Sequence, residues 1–339
     1  MPAAGEQKWT INEALKYRQE LATLYGANGS REQIRQYFVS DKKLGWDEGF
    51  EYTLQKYETR AAKTANKISQ ETYKNKHGIV EKREDLIRRK VEKDIGRAES
   101  VNTQLVQLGR YLECMSTGAT FIPGPIKKFD SAIRKTMGDN KGIWTDNKDL
   151  ARCTIAHEYS WGVASIASEI LRVCQPPYGM KLIKAKERKP IPTDDNPLAY
   201  SDWNFVVVFK GSKIPAEIQV NTFAMMYGKM SKDDYTRAIL GEDRAKYERD
   251  ENEFNFPGGL GHLLYEIVRD EQSTADEKKG AKEMGVWYHN LCRMGPAERA
   301  AEAKECCDRY QKFCDSLTTA FAKKVVKDHP LDAKWGVRV

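Results

Sequence analysis

The sequence lacks several features that would fix its class at once. No apolar run approaches the roughly 18 residues that a membrane span needs, so no membrane partner is expected. Met1–Thr10 has no apolar core, and no classical secretory signal is expected there. Histidine is scarce, at 5 residues, and neither HExxH nor an adjacent His-Asp pair occurs. The common zinc-hydrolase and metal-phosphohydrolase patterns are thereby excluded. The 7 cysteines are odd in number and include no CxxC pair. Cys306, Cys307 and Cys314 fall in a helical stretch without nearby histidines. Reduced thiols are expected, rather than a zinc site or a disulfide framework.

What is present is a charge-rich globular composition. The 339 residues are 40% hydrophobic and 31% charged, enough for one large domain or two modest ones. A net charge of +7 suits an anionic ligand such as a nucleotide and leaves RNA contacts open. Plain solubility accounts for it equally well.

Residues 10–110 read as helix. Ala14–Leu24 and Leu54–Ser69 are rich in Ala, Leu, Lys, Glu and Gln, without proline. Glu81–Arg97 reads as a solvated helix with a narrow apolar stripe from Ile79, Leu86, Ile87 and Val91. The composition changes near Gly118. Strands are expected at Ala151–His157, Met180–Lys186, Trp203–Lys210 and Lys213–Val220, with a helix at Val163–Cys174. Helices return from about 222, including a run from Pro296, a residue suited to a first turn.

Gly211-Ser212 between two strand-like runs signals a two-residue hairpin that pairs Asn204 with Gln219 and Val206 with Glu217. Trp203, Phe205, Val207 and Phe209 then share an apolar face with Ile214, Ala216, Ile218 and Val220. The other face carries Tyr200, Asp202, Asn204, Val206, Glu217 and Gln219. It is either a wet face or a site. Pro125–Met137 reads as an amphipathic helix with an apolar stripe from Ile126, Phe129, Ile133 and Met137. Lys127, Ser131 and Lys135 line another face, a row that could hold a polyphosphate or simply be solvated. Asp149 stands at the entry to a strand, and Glu217 on a neighbouring one. Two carboxylates so placed suit a magnesium–nucleotide site, although Asp149 alone could be a cap.

In this order the elements resemble the synthetase domain of the RelA/SpoT family. Glu217-Ile-Gln-Val-Asn-Thr222 resembles that family's Glu-Ile-Gln-x-Arg-Thr strand, and Asp149-Leu-Ala-Arg-Cys-Thr-Ile155 its acidic strand. Gly261-His-Leu-Leu-Tyr-Glu266 resembles a helix of divergent, toxin-like members. The likeness covers about half the chain. It implies an α+β fold, a mixed nucleotidyltransferase-like sheet flanked by helices, with helical N- and C-terminal extensions. The expected division is 1–104, a synthetase domain at 105–272, and 273–339.

The implied activity is transfer of pyrophosphate from ATP to the ribose 3′-hydroxyl of an acceptor nucleotide, with Mg2+. Lys127, Ser131 and Lys135 would hold donor phosphates, and Asp149 and Glu217 the metal. Tyr200 would stack on the acceptor base, and Gln219 would orient the acceptor. Arg152 would stabilise charge, and Asn204 stands where the family has a histidine. Pro125, Ala199 and Asn221 replace the family's arginine, glycine and arginine, and the basic loop Lys184–Lys189 is a candidate source of the missing charge. No hydrolase element accompanies these motifs, which implies a toxin or effector acting in a cytoplasm, with an antitoxin or immunity protein as partner. A tRNA 3′ end as acceptor, and a degenerate binding module without chemistry, are the alternatives.

Overall fold

The computed structural model describes residues 72–74, 80–174, 180–239, 250–329, 331 and 333–337. They form two compact units that alternate along the chain. The first comprises residues up to Ile155 together with Ala164–Lys186 and Asn204–Val220. The second comprises Ala156–Val163, Glu187–Trp203 and the chain from Asn221 onward.

The first unit begins with a small antiparallel pair, β1 (Thr72–Lys74) and β2 (Val80–Lys82). Helix α1 (Arg83–Met115) follows and buries Leu86, Ile87, Val91, Val101, Leu105, Leu108 and Leu112 along one stripe, as spacing near 3.6 residues requires. It packs on β3 (Ala119–Pro123) and α2 (Phe129–Met137). The approach to β3 is so close that a Cβ on Gly109 would stand 2.0 Å from the Phe121 ring. Beside it, Glu113 accepts the Phe121 amide at 3.1 Å and pairs with Arg110 at 2.9 Å. The remaining strands are β4 (Ala151–His157), β5 (Met180–Arg188), β6 (Asp202–Phe209) and β7 (Ala216–Thr222), with α3 (Ser160–Val173) after β4. The five-stranded sheet has the order β3-β4-β7-β6-β5. This is the mixed sheet with flanking helices expected from the sequence.

The second unit is helical: α4 (Phe223–Lys229), α5 (Lys232–Ile239), α6 (Leu260–Arg269), α7 (Ala275–Arg293), α8 (Pro296–Ser316) and α9 (Ala320–Asp328). Helix α7 is its hub, packed against α4, α6 and α8. Its start is a capping box. Thr274 accepts the Glu277 amide, and Glu277 accepts the Thr274 amide. Among the described residues no helix is long and apolar enough to cross a membrane.

Several local expectations need correction. The stretch read as continuous helix contains β1 and β2, where Thr72, Tyr73 and Val80 favour extended backbone. The runs Ala14–Leu24 and Leu54–Ser69 lie outside the described residues. Helix α2 begins at Phe129, not Pro125, because Gly124 and Lys127 donate their amides to Arg152 and Leu150 at 3.1 and 2.9 Å and run alongside the start of β4. Lys127 is therefore not on the helix, and Met137, expected in the apolar stripe, is 43% exposed.

The β6–β7 connection spans residues 210–215 rather than two. Ser212 bonds both the amide and the carbonyl of Ile214, and Pro215 has no amide to extend the ladder. On the face read as either wet or a site, Tyr200, Asp202, Asn204 and Val206 are enclosed, and Glu217 and Gln219 are half-buried. Residues 184–188 of the expected basic loop belong to β5.

Candidate functional site

In the first unit, the Lys127 and Lys135 ammonium groups meet one oxygen of Asp149, Oδ2, at 2.6 and 2.9 Å. The two lysines arrive by different routes, one from the extended segment before α2 and one from its last turn. Ser131 stands between them in sequence, half-buried on α2. Burial works to raise the Asp149 pKa, but the Lys127 hydrogen bond and the Lys135 charge outweigh it and hold the carboxyl below its usual range. Lys127 and Asp149 are only 14% and 13% exposed, so water screens the pair weakly.

Glu217, on β7, accepts a hydrogen bond from the Asn204 amide on β6. Its charge also reaches Cys153 on β4, whose thiol is pushed up chiefly by burial and further by Glu217. Gln219 is half-buried on β7, and Arg152 is exposed on β4. Among the described residues, no group of three or more His, Cys, Asp or Glu gathers as a metal site. Magnesium does not require one, because one or two carboxylates suffice beside substrate phosphates and water. The other Asp149 oxygen, Oδ1, is buried without a hydrogen-bond partner. Such an atom fits a metal ligand.

In the second unit, Tyr200 is buried and its hydroxyl accepts from Asn221. Arg188 and Lys229 lie over its ring at 5.4 and 4.8 Å, and His289 meets it edge-on at 5.5 Å. Arg188 is held by Asp202, at 2.7 and 2.8 Å. Burial first, then the Asp202 charge, pushes the Tyr200 hydroxyl well up, so it stays protonated. His289 is pushed down to about 4 by burial, with Arg293 and Lys229 adding to the effect against a hydrogen bond to Leu198. It is neutral at physiological pH.

Sequence reasoning did not reach the residues around Tyr200: Asp202's grip on Arg188, Lys229, His289 and Arg293. The one available signal was the i, i+4 spacing of His289 and Arg293 on a single helix. His262 of the Gly-His motif is exposed and pairs with Glu266 at 3.3 Å on its own helix. Gly261 has a clearer physical role. A Cβ there would stand 2.7 Å from His289 Nε2 and 3.1 Å from the Gly228 carbonyl.

No protein-family model matches this chain. It is 31% identical over 204 residues to the (p)ppApp synthetase toxin Tas1 of Pseudomonas aeruginosa (strain UCBPP-PA14), covering 60% of this chain and 43% of that protein. The match thus spans less than half the length of that relative. The crystal structure of the Type VI effector Tas1 with its immunity protein superposes with a TM-score of 0.51 at 29% identity, over 60% of this chain and 96% of the other. The small alarmone synthetase 1 from Bacillus subtilis aligns at 15% identity with a TM-score of 0.38, over 66% of this chain and 98% of the other. Over 60% of its length, then, this chain is similar in sequence and in fold to the Tas1 toxin.

Proposed function

We propose that this chain is a diphosphotransferase that moves pyrophosphate from ATP to the 3′-hydroxyl of an acceptor nucleotide and acts as a growth-inhibiting effector. The observation that carries the reading is the convergence of Lys127 and Lys135 on Asp149, whose second oxygen is buried and unpaired. Two cations and a carboxylate at one point can take up a polyphosphate and its counter-ion together.

In this reading Lys127, Ser131 and Lys135 hold donor phosphate oxygens, and Asp149 and Glu217 hold magnesium. Bound there, magnesium would neutralise triphosphate charge. Asn204 keeps the Glu217 carboxylate oriented. Tyr200 would stack on the acceptor base in place of Arg188 or Lys229, which now cover its ring, Gln219 orients the acceptor, and Arg152 faces solvent where developing charge can be met. The acceptor O3′ forms a bond to the β-phosphorus, the bond from that phosphorus to the α,β-bridging oxygen breaks, AMP leaves with the electron pair, and the hydroxyl proton passes to water. Catalysis is mostly positioning and charge stabilisation.

The transfer is assigned to residues 105–272, with 1–104 and 273–339 flanking. The (p)ppApp product in the name of the Tas1 relative makes an adenine nucleotide the first acceptor to try. The immunity complex of Tas1 supports a dedicated inhibitor protein as partner and delivery as an effector.

The test mixes full-length protein, magnesium and γ-labelled ATP with adenine nucleotides, guanine nucleotides or tRNA. Products are resolved by thin-layer chromatography beside a Glu217→Ala control. Label moving to one acceptor with the native protein alone supports the reading and names the acceptor. No transfer to any of them by folded protein refutes it in favour of a binding module.

A further inference from the structure

The turn that delivers Tyr200 holds an unfavourable backbone conformation. Ala199 has φ +54°, in the left-handed region where a Cβ is strained. Such a conformation persists only where its surroundings over-determine it. Part of the restraint is local. Asn196 donates to the Tyr200 carbonyl at 2.8 Å and accepts the Tyr200 amide at 3.1 Å.

The rest comes from one face of α7, nearly a hundred residues later in the chain. Arg293 donates to the Ala199 carbonyl at 3.0 Å and lies 3.4 Å from the Ser201 hydroxyl. His289 Nδ1 lies 2.7 Å from the Leu198 carbonyl. A carbonyl only accepts, so Nδ1 carries the proton. One turn earlier, a Cβ on Gly285 would stand 2.6 Å from the Leu198 side chain. Positions 285, 289 and 293 are four residues apart, so they share one helix face. Two of them bond consecutive carbonyls, and the third lets the helix approach.

We propose that α7 is a positioning element for the acceptor side of the site: Gly285, His289 and Arg293 hold the 198–201 turn and so set where the Tyr200 ring is presented. This rests on the reading of Tyr200 as the acceptor-binding residue. It extends the machinery beyond residues 105–272, to which the transfer is assigned. It also gives a reason why alanine is tolerated at 199. The helix supplies from outside what a glycine would supply by itself. His289 and Arg293 act through the turn and are not catalytic residues.

The experiment uses the full-length chain with Arg293→Met, Ala199→Gly, the double variant, and Arg293→Lys as the conservative control. Hydrogen exchange across 198–202 is followed without nucleotide, and KM for acceptor and for ATP are measured separately. Arg293→Met should speed exchange in that segment and raise the acceptor KM by about tenfold, the loss of one charge-assisted hydrogen bond. The ATP KM should stay within about twofold. Arg293→Lys, which keeps a donor, should show smaller effects. Ala199→Gly in the Arg293→Met background should recover much of both, because glycine enters positive φ freely.

Unchanged exchange in Arg293→Met, an equal rise in both KM values, or no recovery with glycine would overturn the proposal. If Arg293→Met does not fold, Arg293→Gln, which also removes the charge, carries the same comparison against Arg293→Lys. The exchange measurement needs no turnover. Lack of transfer by the native chain would therefore count against the transferase reading, while the exchange result still decides whether α7 holds the turn.

Discussion

Glu277 ties together two helix starts in the second unit, and replacing it should cost more stability than most single changes. Its carboxylate accepts the amides of Thr318 and Thr319, each at 2.8 Å, and of Thr274 at 2.9 Å. It also accepts the hydroxyls of Thr318 and Thr319 at 3.2 and 3.0 Å. Five donors around one buried carboxylate are more than the usual net of 1.5–3 kcal/mol for a single bond to a charged group, but they are not additive. Glu277→Gln keeps the shape and turns one acceptor oxygen into a donor that faces donors. We expect a loss of about 2–3 kcal/mol at pH 7.

The pH dependence gives a second check. Burial opposes ionisation, yet the hydrogen bonds from Thr319, Thr274 and Thr318 outweigh it and bring Glu277 from 4.5 to about 2. A carboxyl depressed in the folded state stabilises above its unfolded pKa, and that contribution is lost as pH falls through the folded value. At about 1.4 kcal/mol per unit the shift corresponds to roughly 3 kcal/mol, which solvent screening trims to about 2.

Urea unfolding of the native chain and Glu277→Gln, followed on α7 and α9 amides by hydrogen exchange, measures the gap at each pH. It should be full at pH 7 and should shrink from about pH 4.5 towards 2. A gap below about 0.5 kcal/mol at pH 7, or one that does not change between pH 7 and 3, refutes the reasoning.

Other substitutions separate the roles assigned above. Lys127→Met should raise the ATP KM by about 10–100-fold, and Ser131→Ala by much less, because only the lysine brings charge; steady-state kinetics against ATP measures both. Asp149→Asn should weaken magnesium-dependent nucleotide binding while leaving two lysines without a countercharge, so calorimetry with and without magnesium should show the metal's contribution to binding reduced. Gly261→Ala should lower thermal stability by about 1–3 kcal/mol, since the added methyl would stand 2.7 Å from His289 Nε2; a thermal shift within error would refute that packing argument.

The strongest sequence signals were those in which local chemistry and long-range packing agree. β4 was legible at both ends because Ala151, Cys153 and Ile155 alternate into the core. Phe205, Val207 and Phe209 marked β6 by the same spacing, although Val206 and Val208 on its other face are buried as well. The sequence misled where a tertiary hydrogen bond overrode a local preference. Pro125 suits a helix start, but the Lys127 amide is taken by Leu150. Gly211-Ser212 suits a tight turn, but Ser212 folds back on Ile214.

β3 was missed because Ala119–Pro123 is short and is defined by its fit against Gly109 of α1. At the site, Lys127 and Lys135 were singled out as one row and Asp149 as a partner of Glu217, whereas the structure brings both lysines onto Asp149. The surroundings of Tyr200 were out of reach, because no local pattern tells that His289 and Arg293 meet residues 198 and 199.

Lys127 and Lys135 grip the same Asp149 oxygen, so in the proposed reading a donor phosphate meets an internal competitor for both lysines. A bare anion that draws the lysines away strands a buried carboxylate, and a bare cation that takes the carboxylate strands two ammonium groups. A magnesium–nucleotide complex exchanges both partners in one event and strands neither. If the proposed function holds, the same three side chains would act as a lock that opens fully only to a ligand bearing both signs of charge, and would discriminate against free phosphate and free polyphosphate before any chemistry begins.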